Sequence, residues 1–188
     1  MATLQQRGLV RIEQGRGTFV HEGAVHYEIT RRTRFAQNLL KGSWSPSPTI
    51  SETEMMASTA DVAEQLHLEP GTDVYRIRVK QRTGVSVLSV TDSFFPAARF
   101  PNFPTFYTAT RSTTESYKNF GINDYVRERT WVAARMPTVD EARMLEQPRS
   151  IPIVVSRKLD CDLESKPISY AITLWSADRV EFVIDGLG

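Results

Sequence analysis

The sequence has few of the residues that sulfur, imidazole or metal chemistry requires: one cysteine and three histidines among 188 residues. A single cysteine, Cys161, excludes a disulfide framework and gives a metal ion no cysteine cluster. Its neighbours Asp160 and Asp162 oppose formation of a thiolate, so the sequence favours a passive thiol over a nucleophile. We therefore expect neither a metal site nor a cofactor.

Long hydrophobic runs and catalytic motifs are lacking as well. No run approaches the roughly 18 apolar residues that a membrane-spanning helix needs, and no signal peptide is recognisable. No zinc-protease, nucleophile-elbow or phosphate-loop motif occurs, and the histidines have no nucleophile or carboxylate arrangement nearby. The sequence thus predicts a cytoplasmic protein without a membrane partner and without a catalytic residue.

An excess of one charge is also lacking, since the formal net charge is +1, but the charge is unevenly distributed. Residues 1–41 carry a net charge of +4, and the remainder carries −3. A basic N-terminal part on a mildly acidic body is typical of a DNA-binding segment joined to a body that does not touch DNA. An ordinary solvated surface would give the same distribution.

The N-terminal residues predict a β-hairpin with a basic tip. Two short β-prone runs, residues 9–12 and 18–20, flank a glycine-rich turn that contains Arg16. The glycines of this turn supply the positive φ angles that a tight hairpin needs. Residues 3–7 before the hairpin have the character of a helix end, which Gly8 closes.

A helix end followed by this hairpin, over residues 3–20, resembles the end of the winged helix-turn-helix head of the GntR family of bacterial transcription regulators. The resemblance implies that the wing contacts operator DNA through Arg11, Gln14, Arg16, Gly17 and Thr18. A wing arginine approaches phosphates or the minor groove, so it contributes salt-dependent affinity more than sequence choice. It also implies that residues 1–20 are a remnant of the head, which alone should bind DNA weakly or not at all.

The body of the chain alternates strand and helix signals. Residues 21–32 are polar without a clear period and are interpreted as a linker, and residues 96–104 as irregular chain. Predicted strands cover residues 49–58, 74–82, 85–95, 125–137, 151–159, 168–175 and 179–184. Predicted helices cover residues 35–40, 60–66, 112–120 and 141–145. Helices on one side of a largely antiparallel sheet make the predicted fold class α+β.

Short motifs in this body resemble the UTRA domain, the effector-binding half of the HutC branch of GntR regulators. These motifs are Thr-Arg-Phe-Ala-Gln-Asn-Leu-Leu at residues 33–40, Ser-Phe-Phe-Pro at residues 93–96, and the segments 166–170 and 178–182. Residues 34–40 are most similar to regulators of phosphonate metabolism. The resemblance implies that residues 33–188 form an antiparallel sheet around a small-molecule pocket, as in chorismate lyase.

Two candidate effector-binding residues precede the predicted helix at residues 35–40. A helix N-terminus offers free N–H groups and a positive dipole end to an anion. In UTRA regulators that bind phosphosugars, residues at this turn grip the phosphate, so the resemblance implies the same role for Thr33 and Arg34. Alternatively, Thr33 is only a helix cap and Arg34 a surface charge.

Four cations share one face of the predicted strand 74–82: Arg76, Arg78, Lys80 and Arg82. By resemblance, the ligand-gripping arginine pair of the family falls on Arg78 and Lys80, where lysine replaces a bidentate fork by a point charge. Alternatively, the four cations are the solvent face of an edge strand. In that case Tyr75, Ile77 and Val79 face the core and the cations do not touch the ligand.

Other candidates lie further along the chain. By resemblance, the acid that binds hydroxyls in sugar-phosphate sensors corresponds to Thr91, beside Asp92. The glutamate of the closing motif corresponds to Ser169, and the loss of both acids argues against an amino-sugar phosphate.

Three further side chains complete the set of candidates. Thr173 and Trp175 share a strand face and can line a cavity, although Trp175 can equally be core packing. Ser112 is predicted to cap a helix and could also donate a hydrogen bond to a ligand.

Together these observations predict a homodimeric transcriptional repressor that senses a small anionic effector, such as a phosphonate or phosphate ester. The effector would favour a dimer geometry in which the two heads no longer fit their operator half-sites. Two alternatives stay open. An enzyme on the chorismate lyase-like fold would need a catalytic base in the pocket, and an interaction module would need a large exposed apolar patch.

Overall fold

A six-stranded antiparallel sheet forms the centre of the protein. The computed structural model describes residues 10–13, 17–20, 24–29 and 47–184. Its strands are β1 (Val10–Glu13), β2 (Gly17–Val20), β3 (Val25–Glu28), β4 (Ser47–Ala57), β5 (Asp73–Thr83), β6 (Ser86–Pro96), β7 (Val126–Arg135), β8 (Ile153–Cys161), β9 (Pro167–Ser176) and β10 (Val180–Val183). Its helices are α1 (Ala60–Leu66), α2 (Phe103–Thr110), α3 (Thr113–Lys118) and α4 (Val139–Met144). The central sheet has the order β4-β5-β6-β9-β8-β7.

Hairpin turns set the register of this sheet. Thr83 pairs with Ser86, so only Gly84 and Val85 connect β5 to β6, and Gly84 adopts a φ of 54°. A two-residue connection of this kind needs a positive φ, which glycine supplies without strain. The predicted hairpin is confirmed, and it fixes which side chains of β5 point to each face.

Most helices begin at polar caps that the sequence shows. Thr59 caps α1, Ser112 caps α3 by accepting a hydrogen bond from the Glu115 amide, and Thr138 forms a capping box with Glu141 at α4. The prediction is wrong for α2, which begins within the segment interpreted as irregular chain. Its N-cap residue, Asn102, is in the left-handed region and makes no side-chain cap hydrogen bond, so the usual start signal is missing.

Helices cover both faces of the sheet rather than one. Phe103 of α2 and Tyr117 of α3 pack against Ile77 of β5. Leu66 of α1 packs against Val74, which points to the opposite face of the same strand. We call the face that carries Ile77 and Val79 the inner face, and the face that carries Val74 the outer face.

Residues 24–29 correct the interpretation of residues 21–32 as a linker. Strand β3 pairs in parallel with β10, and its side chains alternate, with Val25 and Tyr27 buried and His26 exposed. Both buried residues pack with Trp175 in one hydrophobic cluster. Four residues are too few for a period to stand out against polar surroundings, so the sequence pattern missed the strand. We call β3 and β10 together the strap.

Strands β1 and β2 form an antiparallel hairpin, as predicted for the N-terminal segment. Its assignment to a DNA-binding wing stays a prediction. Elsewhere, every predicted strand and helix from residue 49 onward has a counterpart, whereas the predicted helix at 35–40 lies outside the described residues. None of the helices in the described ranges combines the length and apolarity needed to cross a membrane.

We expect Phe103→Ala to destabilise the protein by about 3–5 kcal/mol, because a large buried ring would leave a cavity. Phe103 is fully buried, and its ring centroid lies 4.2 Å from that of Phe95. Urea unfolding at pH 7 measures the effect. Val85→Ala, at an exposed hairpin tip, is the control and should change stability by less than about 0.5 kcal/mol. Equal effects of the two variants would contradict this packing.

The ion pair between Arg135 and Glu141 predicts a loss of stability in acid. Both Glu141 oxygens accept hydrogen bonds from Arg135 at 2.6 Å, and this contact lowers the pKa of Glu141 to about 2. A lowered pKa stabilises the fold above the ordinary value of 4.5, and the contribution disappears as the pH falls towards 2. Because Arg135 is half exposed, we expect about 1–2 kcal/mol.

Urea unfolding of Glu141→Gln at pH 7, 4 and 2.5 measures this contribution. The variant should be less stable than the parent at pH 7 and nearly equal to it at pH 2.5. Glu115→Gln removes an exposed i,i+3 pair with Lys118 and should cost less than about 0.5 kcal/mol at pH 7. A constant difference across the three pH values would contradict the ion-pair explanation.

Candidate functional site

A cavity of about 130 Å³ lies between the inner face of the sheet and the strap. On the sheet side, each neighbouring strand contributes residues that are two positions apart along that strand. Thr91 of β6 pairs with Thr173 of β9, which pairs with Ser156 of β8, so the three hydroxyls lie in one row. Tyr27 and Phe182 of the strap close the cavity on the other side, together with Ile29, the residue after β3.

Hydroxyl groups make up much of the wall. The lining includes six serine and threonine residues: Thr91, Ser93, Thr113, Thr130, Ser156 and Thr173. The Oγ1 atoms of Thr91 and Thr173 lie 3.0 Å apart, and Ser156 Oγ accepts a hydrogen bond from Trp175 Nε1 at 2.8 Å. Hydroxyls both donate and accept, so such a wall can bind polar ligands of several kinds.

Two cationic side chains also line the cavity, and no carboxylate does among the described residues. Arg127 is only 7% exposed and donates from Nη2 to the Tyr27 hydroxyl at 3.2 Å. Lys158 is partly buried, and its Nζ lies 2.6 Å from the carboxylate of Asp160, two residues further along the same face of β8. Burial lowers the pKa of Lys158, but Asp160, Tyr125 and Tyr27 together outweigh it and the pKa is raised, so the amine stays charged at neutral pH.

Aromatic rings form the end of the cavity that faces the strap. The ring centroids of Tyr27 and Trp175 are 4.8 Å apart, and Phe182 lies 5.4 Å from Trp175. Tyr107 of helix α2 also lines the cavity. Burial raises the pKa of its hydroxyl, which therefore stays neutral. The cavity therefore combines a cationic, hydroxyl-rich wall with an aromatic end.

Two of the predicted effector-binding residues are part of this wall. Thr173 and Trp175 both line the cavity, as their shared strand face predicted. The alternative for Trp175 holds at the same time, because the side chain is fully buried in a hydrophobic cluster. Ser112 is a helix cap, as expected, and it is the next residue, Thr113, that lines the cavity.

Arg78, Lys80 and Asp92 are not part of the cavity, which corrects their assignment to the pocket wall. The inner face of β5 carries Val79 and Gln81, and because side chains alternate, Arg78 and Lys80 lie on the outer face. There Arg78 binds both oxygens of Asp92 at 2.7 Å, and this hydrogen bonding raises the pKa of Arg78.

The alternative of an edge strand is also wrong, since β5 lies between β4 and β6. The outer face of β5 is an ion-pair network rather than a solvated stripe. Arg76 contacts Glu52 and Glu54 at 2.8 Å each, and Lys80 lies 3.2 Å from Glu146.

The remaining predicted residues cannot be compared with the cavity. Thr33, Arg34, Gln14 and Arg16 lie outside the described residues, and Arg11, Gly17 and Thr18 are described only as positions in the β1–β2 hairpin. Their proposed contacts with the effector and with DNA stay predictions.

Sequence reasoning missed Arg127 and Lys158. For Lys158 a signal existed, because Ser156, Lys158 and Asp160 place polar groups at every second position of β8. For Arg127 the signal was hidden, since a bulge between Arg127 and Arg129 interrupts the alternation of β7.

Comparison with known proteins identifies the family. Residues 46–181 match the model of the UTRA domain. The chain belongs to the UTRA domain family. It is 31% identical over 186 residues to an HTH-type transcriptional regulator of Rhizobium meliloti, covering 98% of this chain and 76% of that protein. It is 27% identical over 192 residues to the probable transcriptional regulator PhnF of Escherichia coli, covering 97% and 76%.

Solved structures of UTRA regulators share the fold. PhnF from Mycobacterium smegmatis superposes with a TM-score of 0.79 at 17% identity, over 100% of this chain and 82% of that chain. The PhnF C-terminal domain gives a TM-score of 0.69 at 22% identity, over 89% and 99%. The expected α+β fold and the expected membership among GntR-family regulators are thereby confirmed, and the chain contains a ligand-sensing regulatory domain.

The pair of Lys158 and Asp160 leads to a prediction on stability. Asp160 is 2% exposed and also accepts a hydrogen bond from Ser169, so Asp160→Asn would leave the Lys158 charge without its carboxylate. Breaking a fully buried pair costs roughly 3–5 kcal/mol, and the partial exposure of Lys158 reduces the expected loss to about 2 kcal/mol.

Urea unfolding at pH 7 measures this loss. Asp140→Asn is the matched control, because it removes the exposed partner of Arg143 and should cost less than about 0.5 kcal/mol. If both variants were equally stable, the pair of Lys158 and Asp160 would not be the buried contact described above.

Proposed function

We propose that a small anionic effector, such as a phosphonate or phosphate ester, binds in this cavity and modulates binding of a homodimeric repressor to operator DNA. The observation that carries the proposal is the lining: Arg127, Lys158 and six serine and threonine hydroxyls, with no carboxylate among the described lining residues. Buried cations with hydroxyl donors are the groups that bind phosphoryl and carboxylate oxygens best. Arginine binds two oxygens at once, and lysine adds a point charge.

The size and shape of the cavity restrict the effector. Its volume of about 130 Å³ suits a small-molecule effector. The anionic group would lie at Arg127 and Lys158. A short apolar substituent would contact Trp175 and Phe182 at the aromatic end, which favours an alkylphosphonate or a similar compact anion over a sugar phosphate.

The contact between Arg127 and Tyr27 supplies a route from the cavity to the N-terminal segment. Tyr27 belongs to β3 of the strap. Along the chain, β3 follows the β1–β2 hairpin and precedes the strands of the central sheet. An effector that accepts hydrogen bonds from Arg127 competes with the Tyr27 hydroxyl and so changes the stability of the strap. The effector can shift the dimer between its two states only by its different affinity for each.

Finer assignments rest on resemblance. The relatives named PhnF support a place in the HutC branch and a role in phosphonate metabolism. Residues 1–20 would belong to the DNA-binding head, with Arg11 and Arg16 at the operator, and residues 33–188 to the UTRA domain. Thr33 and Arg34 would add a hydroxyl and a guanidinium to the anion.

A thermal-shift panel on this chain tests the proposal. The panel contains phosphate, methylphosphonate, ethylphosphonate, a phosphosugar, urocanate and chorismate. A ligand at about 100 times its dissociation constant adds about 2.7 kcal/mol of stability, which is a readily visible shift. We expect the short phosphonates or phosphate to raise the melting temperature, and silence across the panel from a folded protein would contradict an anionic effector of this kind.

Matched variants locate the site. Arg127→Gln and Lys158→Gln should each weaken binding at least about tenfold, since each removes a charged hydrogen-bond partner of the ligand. Arg78→Gln, on the outer face of the sheet, should leave the affinity unchanged. Isothermal titration calorimetry measures the three affinities, and the opposite pattern would move the anion site to the outer face.

A further inference from the structure

Two buried polar atoms in the cavity wall have no hydrogen-bond partner among the described residues. They are Oε1 of Gln81 on β5 and Oγ1 of Thr130 on β7. The hydroxyls of Thr91 and Thr173, by contrast, are paired with each other. A buried polar atom without a partner costs free energy, so native proteins keep few of them, and those that remain are found at sites of function. Both atoms therefore point to a partner that arrives with the effector.

Strand pairing places these two atoms at opposite ends of the wall. Gln81 pairs with Ser89, and Ser89 pairs with Trp175, so Gln81 lies in the row of the aromatic end. Thr130 pairs with Lys158, two inward-facing rows away from the row of Trp175. Two rows are four residues of a strand, or about 13 Å. Thr130 therefore lies at the cationic end of the cavity and Gln81 at the far end.

Gln81 is the polar exception on the inner face of β5. Its inward-facing neighbours Ile77 and Val79 are apolar and belong to the core, and Gln81 itself is only 8% exposed. An apolar residue of similar size would fill the same space without leaving a polar atom unpaired. An amide oxygen only accepts hydrogen bonds, so the partner that suits it is a donor.

The charges of the lining favour a donor without charge. Arg127 and Lys158 line the same cavity, and none of its described lining residues is a carboxylate. An ammonium group at the far end would add another positive charge to this cavity without an acid to pair with it. A hydroxyl group donates a hydrogen bond and carries no charge.

We propose that the effector carries a hydroxyl group at the end opposite its anionic group, and that Gln81 selects this effector by accepting a hydrogen bond from the hydroxyl. At the cationic end, Thr130 donates a hydrogen bond to the anionic group beside Lys158. The inference rests on the anion site of the proposed function and adds the chemistry of the far end. The alkyl chain still passes Trp175, but it ends in a polar group.

Calorimetry with matched ligands tests the far end. The hydroxyl ligands are ω-hydroxyalkylphosphonates with chains of three to six carbons. Each is compared with two counterparts, in which a methyl or an amino group replaces the hydroxyl. We expect at least one hydroxyl ligand to bind the parent chain at least about tenfold tighter than both counterparts, because only the hydroxyl offers Gln81 an uncharged donor.

Variants at the two ends should act on different parts of the ligand. Gln81→Leu should abolish the preference for the hydroxyl ligand by weakening that ligand alone. Thr130→Val should weaken the hydroxyl and methyl ligands equally, by about tenfold, because it acts on the anionic group that they share. Gln65→Leu is the matched control on α1, which packs on the outer face, and it should keep every affinity of the parent.

Stability without ligand distinguishes a binding role of Gln81 from a structural one. Because Oε1 of Gln81 has no partner within the described protein, Gln81→Leu should not lower the urea midpoint of the unliganded chain. A clear fall of the midpoint would show that the amide holds the fold together, and it would overturn the assignment of Gln81 to the ligand.

The outcomes separate the two proposals. If no phosphonate binds the parent chain, the anion site of the proposed function fails and this inference fails with it. If phosphonates bind but the hydroxyl gives no preference at any chain length, or if Gln81→Leu keeps the preference, only the role of Gln81 is overturned. A tighter amino ligand would overturn the uncharged donor. If Gln81→Leu failed to fold, the matched ligands on the parent chain would still decide.

Discussion

The short turn between β5 and β6, with the bulge that follows it, determines which side chains can reach the cavity. Only Gly84 and Val85 connect the strands, and a bulge shifts the pairing between Gln81 and Arg82, so that the register is fixed with Val79 and Gln81 facing inward. A slip of one residue would turn Arg78 and Lys80 to the inner face instead. The positions of the cations on this strand therefore follow from turn geometry, and the cavity must take its positive charge from β7 and β8.

Cations on the two faces of the sheet differ in what they can still bind. On the outer face, Arg78 has both fork nitrogens on Asp92, so that its hydrogen-bonding capacity is used within the protein. On the inner face, Arg127 donates to the Tyr27 hydroxyl, and an anion can compete for this hydrogen bond. Lys158 is already paired with the Asp160 carboxylate, so an anion has to share its amine with that group.

Much of the fold could be predicted from the sequence because its signals are local. The Gly84 turn, the caps at Ser112 and Thr138, and the alternation of β5 each depend on a few adjacent residues. The strap could not be predicted, because β3 is stabilised by the distant β10 and by Trp175 rather than by its own pattern. The lining of the cavity was predicted in part for the same reason: the positions of Thr173 and Trp175 follow from alternation, whereas that of Arg127 depends on a bulge.

The cavity includes residues of an edge strand of the sheet, β7. Arg127 and Thr130 line the cavity near the beginning of this strand. Arg127 lies at the bulge that shifts the pairing of β7 with β8, and a bulge sets the local twist of a strand. A ligand that displaces the Arg127 side chain therefore acts on the twist of β7 as well as on the side chains that it touches.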